Sequence, residues 1–214
     1  MDCCNCEGCE SVFDEQAAAS KLKSYREKGP ARETRLLLRI LKEQGIDNLT
    51  LLDIGGGVGV IQYELLDAGV STVVSADASR AYISAAQQEA ERRGQAGRIT
   101  HQHGDFVELA AGIEDADIVT LDRVICCYRN MEALVELSAV RARRFYGLVY
   151  PRSKWWTKAM IWAENFQRQV RRRPFRAFVH STAAVEAVLG DNGLQKLAHH
   201  KTLFWQVVVY VRPQ

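Results

Sequence analysis

Apolar residues recur along this chain with two alternating periods, and that alternation limits the fold first. Leu49–Ile54 is a short apolar run that breaks into glycines, as a buried strand entering a tight turn does. The pattern then predicts a helix over Val58–Ala68 stopped by Gly69, and a second strand over Ser71–Ala76. Ser79 has a side chain suited to cap the next helix, which runs to Arg93 and is ended by Gly94. Further strands are expected at Arg98–Gln102, Ala116–Leu121 and Phe145–Tyr150, with helical Met131–Arg144 between the last two. Upstream, Pro30 suits the first turn of a helix, because its missing N–H would be orphaned there anyway. Arg35, Leu36, Leu37, Leu38, Ile40 and Leu41 give that helix an apolar side, and Gly45 its stop. After Pro151 come a long helix rich in aromatics, a short helix capped by Ser181 or Thr182, and two strands. The last strand, Phe204–Val211, is apolar enough for a central sheet position. Strands and helices alternating at this spacing predict the α/β class, a parallel sheet with helices on both faces.

Size and charge narrow the picture. With 214 residues, 47% of them hydrophobic, the chain suits one compact domain and leaves little room for a second. Residues 1–30 stand apart as an N-terminal arm or lid, a cysteine cluster followed by a polar helical stretch, and residues 31–214 form the ligand-binding domain. A net charge of +2 does not announce a nucleic-acid partner. No uninterrupted apolar run of about 18 residues is present, so no spanning helix is expected. Met1–Glu10 is acidic and cysteine-rich rather than basic-then-apolar, so it does not read as a signal peptide. Six cysteines, two pairs of them adjacent, do not form a disulfide framework in a chain of this size. A soluble, reduced, cytoplasmic protein is expected.

The chemistry concentrates after the first strand. Open α/β sheets bind ligands at the carboxyl ends of their strands, where strand order reverses. There the chain reads Leu51-Leu52-Asp53-Ile54-Gly55-Gly56-Gly57-Val58-Gly59. Glycines let backbone approach a ligand closely, and the helix that follows points unpaired N–H groups at it. A tight turn with no ligand is the plain alternative. Dinucleotide-binding enzymes carry G-x-G-x-x-G, whereas Gly55, Gly57 and Gly59 make G-x-G-x-G with Asp53 two residues before. A carboxylate there would repel a diphosphate and favour a sulfonium.

Leu51–Gly59 resembles the first motif of the class I S-adenosylmethionine-dependent methyltransferases, and the later motifs follow in order. Asp77 ends strand 2, 24 residues after Asp53, where that family has an acidic residue for both ribose hydroxyls. Gly104-Asp105-Phe106 resembles the segment that meets the adenine edge, and Ala116–Tyr128 the motif that borders the transferred methyl. The resemblance implies a Rossmann-like seven-stranded sheet with helices on both faces and S-adenosyl-L-methionine as cofactor. It further implies that Asp53, Gly55, Gly57, Gly59, Asp77, Ala78, Asp105 and Phe106 hold that cofactor. Any one of these acids could otherwise be a loop residue or a helix cap.

Leu121–Tyr128 is most similar to the magnesium-protoporphyrin and quinone-biosynthesis O-methyltransferases, which often have a histidine where this chain has Cys127. That departure leaves the acceptor and its base open. Asp122, Arg123 and Tyr128 lie where an acceptor would approach; Asp122 could orient or deprotonate it and Arg123 could bind an acidic group on it. Asp122 and Arg123 simply pairing with each other is the alternative. His180 is a further candidate, set against a structural histidine.

Two features lie outside these motifs. Cys3, Cys4, Cys6 and Cys9 form C-C-x-C-x-x-C, too cramped for four ligands on one metal, so a disordered tail is expected and no metal ligand is assigned. Trp155, Trp156, Met160, Trp162, Phe166 and Val170 lie among basic residues at roughly helical spacing. They could be core, a lid over a flat acceptor, or a transient membrane-surface contact helped by Arg171-Arg172-Arg173. The expected activity is methyl transfer to a small, apolar molecule, with O-methylation favoured. RNA or protein methylation, methylation of thiol-bound arsenite, and a non-catalytic S-adenosylmethionine- or metal-binding module are the alternatives.

Overall fold

The structure, a computed structural model, describes residues 8–9 and 12–213. Cys3, Cys4 and Cys6, expected in a disordered tail, lie outside the described residues. Helices α1 (Glu15–Lys28) and α2 (Arg32–Lys42) precede the sheet. Alternation then follows, with β1 (Thr50–Ile54), α3 (Val60–Leu66), β2 (Thr72–Asp77), α4 (Arg80–Arg92) and β3 (Ile99–His103). The single turn α5 (Phe106–Leu109) leads to β4 (Ala116–Asp122), α6 (Met131–Val140) and β5 (Ala142–Pro151). The chain closes with α7 (Trp155–Val170), α8 (Thr182–Asp191), β6 (Gln195–Lys201) and β7 (Trp205–Val211).

Seven strands form one sheet in the order β3-β2-β1-β4-β5-β7-β6. The first five are parallel, and β7 enters antiparallel between β5 and β6. Helices cover both faces, and each face has its own apolar core. One holds Leu37, Leu41, Leu51, Ile118 and Val209; the other holds Leu52, Val119, Leu134, Tyr146 and Val208. Neighbouring residues of one strand thus divide between the two cores, which is why the strands read as continuous apolar runs. β7 has the central position expected of it, and β6 at the edge carries Lys196 and Lys201 against further pairing.

Local chemistry explains the ends. Asp14 accepts from Ala17 N at 2.8 Å to cap α1, and Ser79 accepts from Tyr82 N at 3.2 Å to cap α4. One expected element is shorter than its pattern suggested. The helix from Met131 ends at Val140 rather than Arg144, and β5 begins at Ala142. Ala142 is buried and Arg143 exposed, a strand alternation, and the Arg141 carbonyl accepts from Ala116 N at 2.9 Å. Sheet pairing overrides the helical preference of Arg141–Arg144.

β1 sits between β2 and β4, so the connections leave it in opposite directions and open a crevice at its carboxyl end. α1 lies across that crevice, fastened to α4 by Glu89. This carboxylate has no exposed side-chain surface, and it receives Arg26 of α1 at 2.6 Å, Arg92 at 2.5 Å and Arg93 at 3.0 Å. The arginines hold its pKa down at about 2. Among the described residues, no helix is long and apolar enough to cross a membrane.

Candidate active site

The crevice encloses a cavity of about 480 Å³. Its floor is Gly55, Gly56 and Gly57 after β1, with Asp77 and Ala78 after β2 and Gly104 and Phe106 after β3. Asp122, Arg123, Val124, Cys127 and Tyr128 close the side below β4. The roof comes from outside the motifs: Phe13, Lys21 and Tyr25 on or before α1, and Thr34 and Arg35 of α2.

The acids at the strand ends divide into distinct tasks. Asp53 is 1% exposed, and its carboxylate accepts from Thr120 Oγ1 at 2.7 Å and Gln62 Nε2 at 3.1 Å. Burial pushes its pKa up to about 7. Asp53 lines the cavity at the base of the loop, and its carboxylate holds these two partners there. Asp77 also stands on the cavity wall, with one oxygen accepting from Gly57 N at 2.9 Å and the other from Ser79 N at 2.8 Å. Burial raises its proton affinity, opposed by those two N–H groups. A carboxylate held this way keeps lone pairs for two adjacent hydroxyls.

Asp105 is absent from the cavity wall. It caps α5 by accepting from Val107 N at 2.9 Å, and it also accepts from the Tyr128 hydroxyl. Gly104 and Phe106 on either side are the wall residues, so Asp105 positions them. Tyr128 lines the cavity with its ring while its hydroxyl is committed to Asp105. Gly59 is also behind the wall. It caps α3 at φ 86°, where a Cβ would meet the Tyr63 ring at 2.4 Å.

Asp122 is the wall carboxylate with spare capacity. Its side chain is 15% exposed, Oδ2 accepts from Thr34 Oγ1 at 2.5 Å, and Oδ1 has no hydrogen-bond partner. Arg123 Nη1 stands 3.6 Å from Oδ1, so the ion pair weighed from the sequence is present in loose form. Burial raises the Asp122 pKa against the opposing pull of Arg123 and Thr34. Arg123 also reaches Glu33 of α2 at 3.3 Å and lies over the Trp205 ring at 5.1 Å.

His180 is not at the cavity. Its Nε2 lies 2.8 Å from both the Ile125 and Tyr128 carbonyls, which pins the 3₁₀ turn Ile125–Cys127 from behind. Burial lowers its pKa, so the neutral ring is favoured, as the structural alternative required. Cys127 faces the cavity, and its hydrogen bond holds the Cys126 thiol below the usual range. Cys9 is 8% exposed and also lines the cavity, so this residue at least is packed rather than part of a disordered tail. None of the tryptophans of α7 lines it.

A sulfonium-bearing nucleoside fits this wall. The glycine loop leaves open backbone, Asp77 offers a bidentate acceptor, and Phe106 supplies an apolar surface. Residues 51–143 match the family model described as a methyltransferase domain. The sequence search against curated proteins finds no match. Among solved structures, the chain is similar to magnesium protoporphyrin IX methyltransferase from Synechocystis PCC 6803, solved with bound SAH. That likeness covers 95% of this chain and 85% of the other, with TM-score 0.67 and 21% identity. An O-methyltransferase family protein from Burkholderia thailandensis matches 96% of this chain and 63% of its own, with TM-score 0.71 and 16% identity. A putative RNA methyltransferase from Pyrococcus horikoshii matches 86% and 84%, with TM-score 0.60 and 13% identity. At these identities the structures share the fold. The match to a methyltransferase domain covers residues 51–143, and the fold is the one these solved methyltransferase structures have.

Proposed function

We propose that this chain transfers the methyl group of S-adenosylmethionine to an oxygen of a small, mostly apolar molecule. One observation carries the reading: the glycine loop, Asp77 and the segment after β4 share a single cavity that α1 and α2 roof over. A roofed space of about 480 Å³ is within the range of small-molecule sites, which supports a small acceptor. The similar structure named as an O-methyltransferase family protein supports an oxygen acceptor.

The cofactor, when bound, supplies an already activated methyl group, so alignment and desolvation do most of the work. Asp77 and the loop N–H groups fix the nucleoside end, and the roof keeps water out. In this reading Asp122 Oδ1, which has no hydrogen-bond partner and only the loose ion pair with Arg123, accepts the proton of an acceptor hydroxyl, and burial gives it a stronger hold on that proton than a solvated aspartate has. Arg123, tied to Glu33, orients the acceptor from the roof side. The reading keeps the cytoplasmic placement expected from the sequence.

Calorimetric titration with S-adenosylhomocysteine and with NADH tests the cofactor, and labelled methyl transfer to a panel of hydroxylated aromatic molecules tests the acceptor. Binding of S-adenosylhomocysteine alone, with turnover of a small acceptor, is expected. Comparable NADH affinity would remove the cofactor assignment, and methylation of RNA with no small acceptor turned over would remove the substrate class.

A further inference from the structure

Helix α7 departs from an ordinary surface helix in what it shows to solvent. Thr157 and Ile161 are its buried residues. At about 100° per residue, Trp155, Ala159, Trp162, Phe166 and Val170 fall on one narrow stripe on the far side of the helix from that pair. Trp155 is 80% exposed, Trp162 70%, Phe166 57% and Val170 68%. Leu203, 81% exposed, extends the patch at the helix start, because its neighbour Phe204 packs on Trp156 with ring centroids 6.2 Å apart. Isolated exposed hydrophobics are ordinary; a contiguous row of this size marks a contact surface.

The charge around the row is as one-sided as the row itself. Residues 152–176 contain eight lysines and arginines and one glutamate, a local charge of +7 in a chain whose net charge is +2. Among the described residues, Lys154, Lys158, Arg171, Arg172 and Arg173 make no ion pair.

We propose that α7 is a membrane-surface helix that lays this stripe into the interface of an anionic lipid bilayer, with its flanking cations on the headgroups. A row of apolar side chains on one helix face, bordered by lysine and arginine, is the arrangement that binds in the plane of an interface. Two competing occupants fit less well. A single-stranded nucleic acid needs open aromatic faces, but Trp162 and Phe166 stack on each other at 5.8 Å and 13°, and Val170 and Leu203 offer no stacking. A second copy pairing stripe to stripe would bring two +7 segments together. The helix starts from the carboxyl end of β5, the sheet edge that also carries the cavity, so docking would hold that edge at the lipid.

Vesicle flotation of the full chain is the test, using phosphatidylcholine alone and phosphatidylcholine with about one third phosphatidylglycerol. Flotation with the anionic vesicles only is expected. Trp155→Ser with Trp162→Ser should weaken it at least about tenfold, because both rings lose their place in the interface. Arg171→Glu, Arg172→Glu and Arg173→Glu together should abolish it, since each cation near the surface is worth about fivefold. S-adenosylhomocysteine affinity reports folding and should stay unchanged in both variants, whose positions lie off the cavity. The proposal is overturned if wild type does not float with anionic vesicles, or if the tryptophan variant floats as well as wild type. It is equally overturned if sedimentation shows a dimer that the tryptophan variant dissolves while vesicles go unbound.

Discussion

Gly56→Ala adds one methyl group at the tightest point of the ligand loop. Gly56 is not among the left-handed glycines, so the cost is one of space. A Cβ there would stand 2.3 Å from Gln62 Nε2, 2.6 Å from Ser75 Oγ and 2.9 Å from Asp53 Oδ2. All three side chains are buried, and Gln62 Nε2 donates to both others, at 2.8 Å to Ser75 and 3.1 Å to Asp53. Gln62 cannot swing aside without stranding them. Each buried polar group left unsatisfied costs about 1–3 kcal/mol, and overpacking alone costs about the same. A change of about 1 kcal/mol moves the melting temperature of a domain this size by about 2–4 °C, so a fall of roughly 5–12 °C is expected. S-adenosylhomocysteine affinity should fall at least about tenfold, because the loop that carries Gly57 N is displaced with the network. Gly57→Ala is the control. Its φ is 57° and its nearest neighbour would be 3.9 Å away, so it bears only backbone strain of about 1–2 kcal/mol. Scanning fluorimetry and calorimetry read both quantities. If Gly56→Ala melts within about 2 °C of wild type and binds the ligand equally well, the buried network is not what holds the loop.

Three further outcomes follow from the site and its roof. Asp77→Ala should weaken S-adenosylhomocysteine binding by roughly 10- to 150-fold through the lost charge-assisted contacts, and an unchanged dissociation constant would place the ribose elsewhere. Asp122→Asn should slow methyl transfer by about 100-fold or more while S-adenosylhomocysteine affinity shifts less than about threefold; equal losses in both would make the residue structural. Glu89 has its pKa lowered to about 2, so the stability it contributes is complete above the unfolded value near 4.5 and is lost as pH falls towards 2. Glu89→Gln should therefore melt lower than wild type at pH 7 and lose less between pH 4.5 and pH 2, and parallel melting curves across that window would refute the assignment.

The strands and the loop were legible because each rests on a local signal. Leu49–Ile54 running into glycines places β1, and Ser79 caps α4 as its side chain predicts. Periodicity also finds the start of α6 at Met131, but not its end, which Ala116 decides from another part of the chain. Direction was the harder quantity. Asp105 and Tyr128 both lie just beyond strand ends, yet their side chains bond to each other and Asp105 is off the cavity wall. Sequence spacing tells which end of an element a residue occupies, not which way its side chain aims once neighbours from three other segments arrive. The roof was legible only in part: residues 1–30 read as an arm or lid, whereas the contribution of Thr34 and Arg35 emerges only when α2 closes over the cavity.

Arg123 shows how the separate pieces of the site depend on one another. It is one of the described non-glycine residues with left-handed backbone, at φ 63°, a conformation that costs about 1–3 kcal/mol. Such strain persists only where surrounding contacts fix it. Here its N–H donates to Val149 O at 2.8 Å, its guanidinium meets Glu33 of α2 at 3.3 Å, and its face lies over Trp205 of β7. A right-handed residue at 123 would redirect the chain after Asp122, and with it Val124 and Cys127 on the cavity wall. The kink therefore does two things together. It leaves Asp122 at the end of β4 facing Thr34, and it carries a cation from the β4 loop to the roof. The proposed base, the orienting cation and the roof are thus held by one strained residue, and a change at Glu33 or Trp205 should reach the acceptor site without touching the glycine loop.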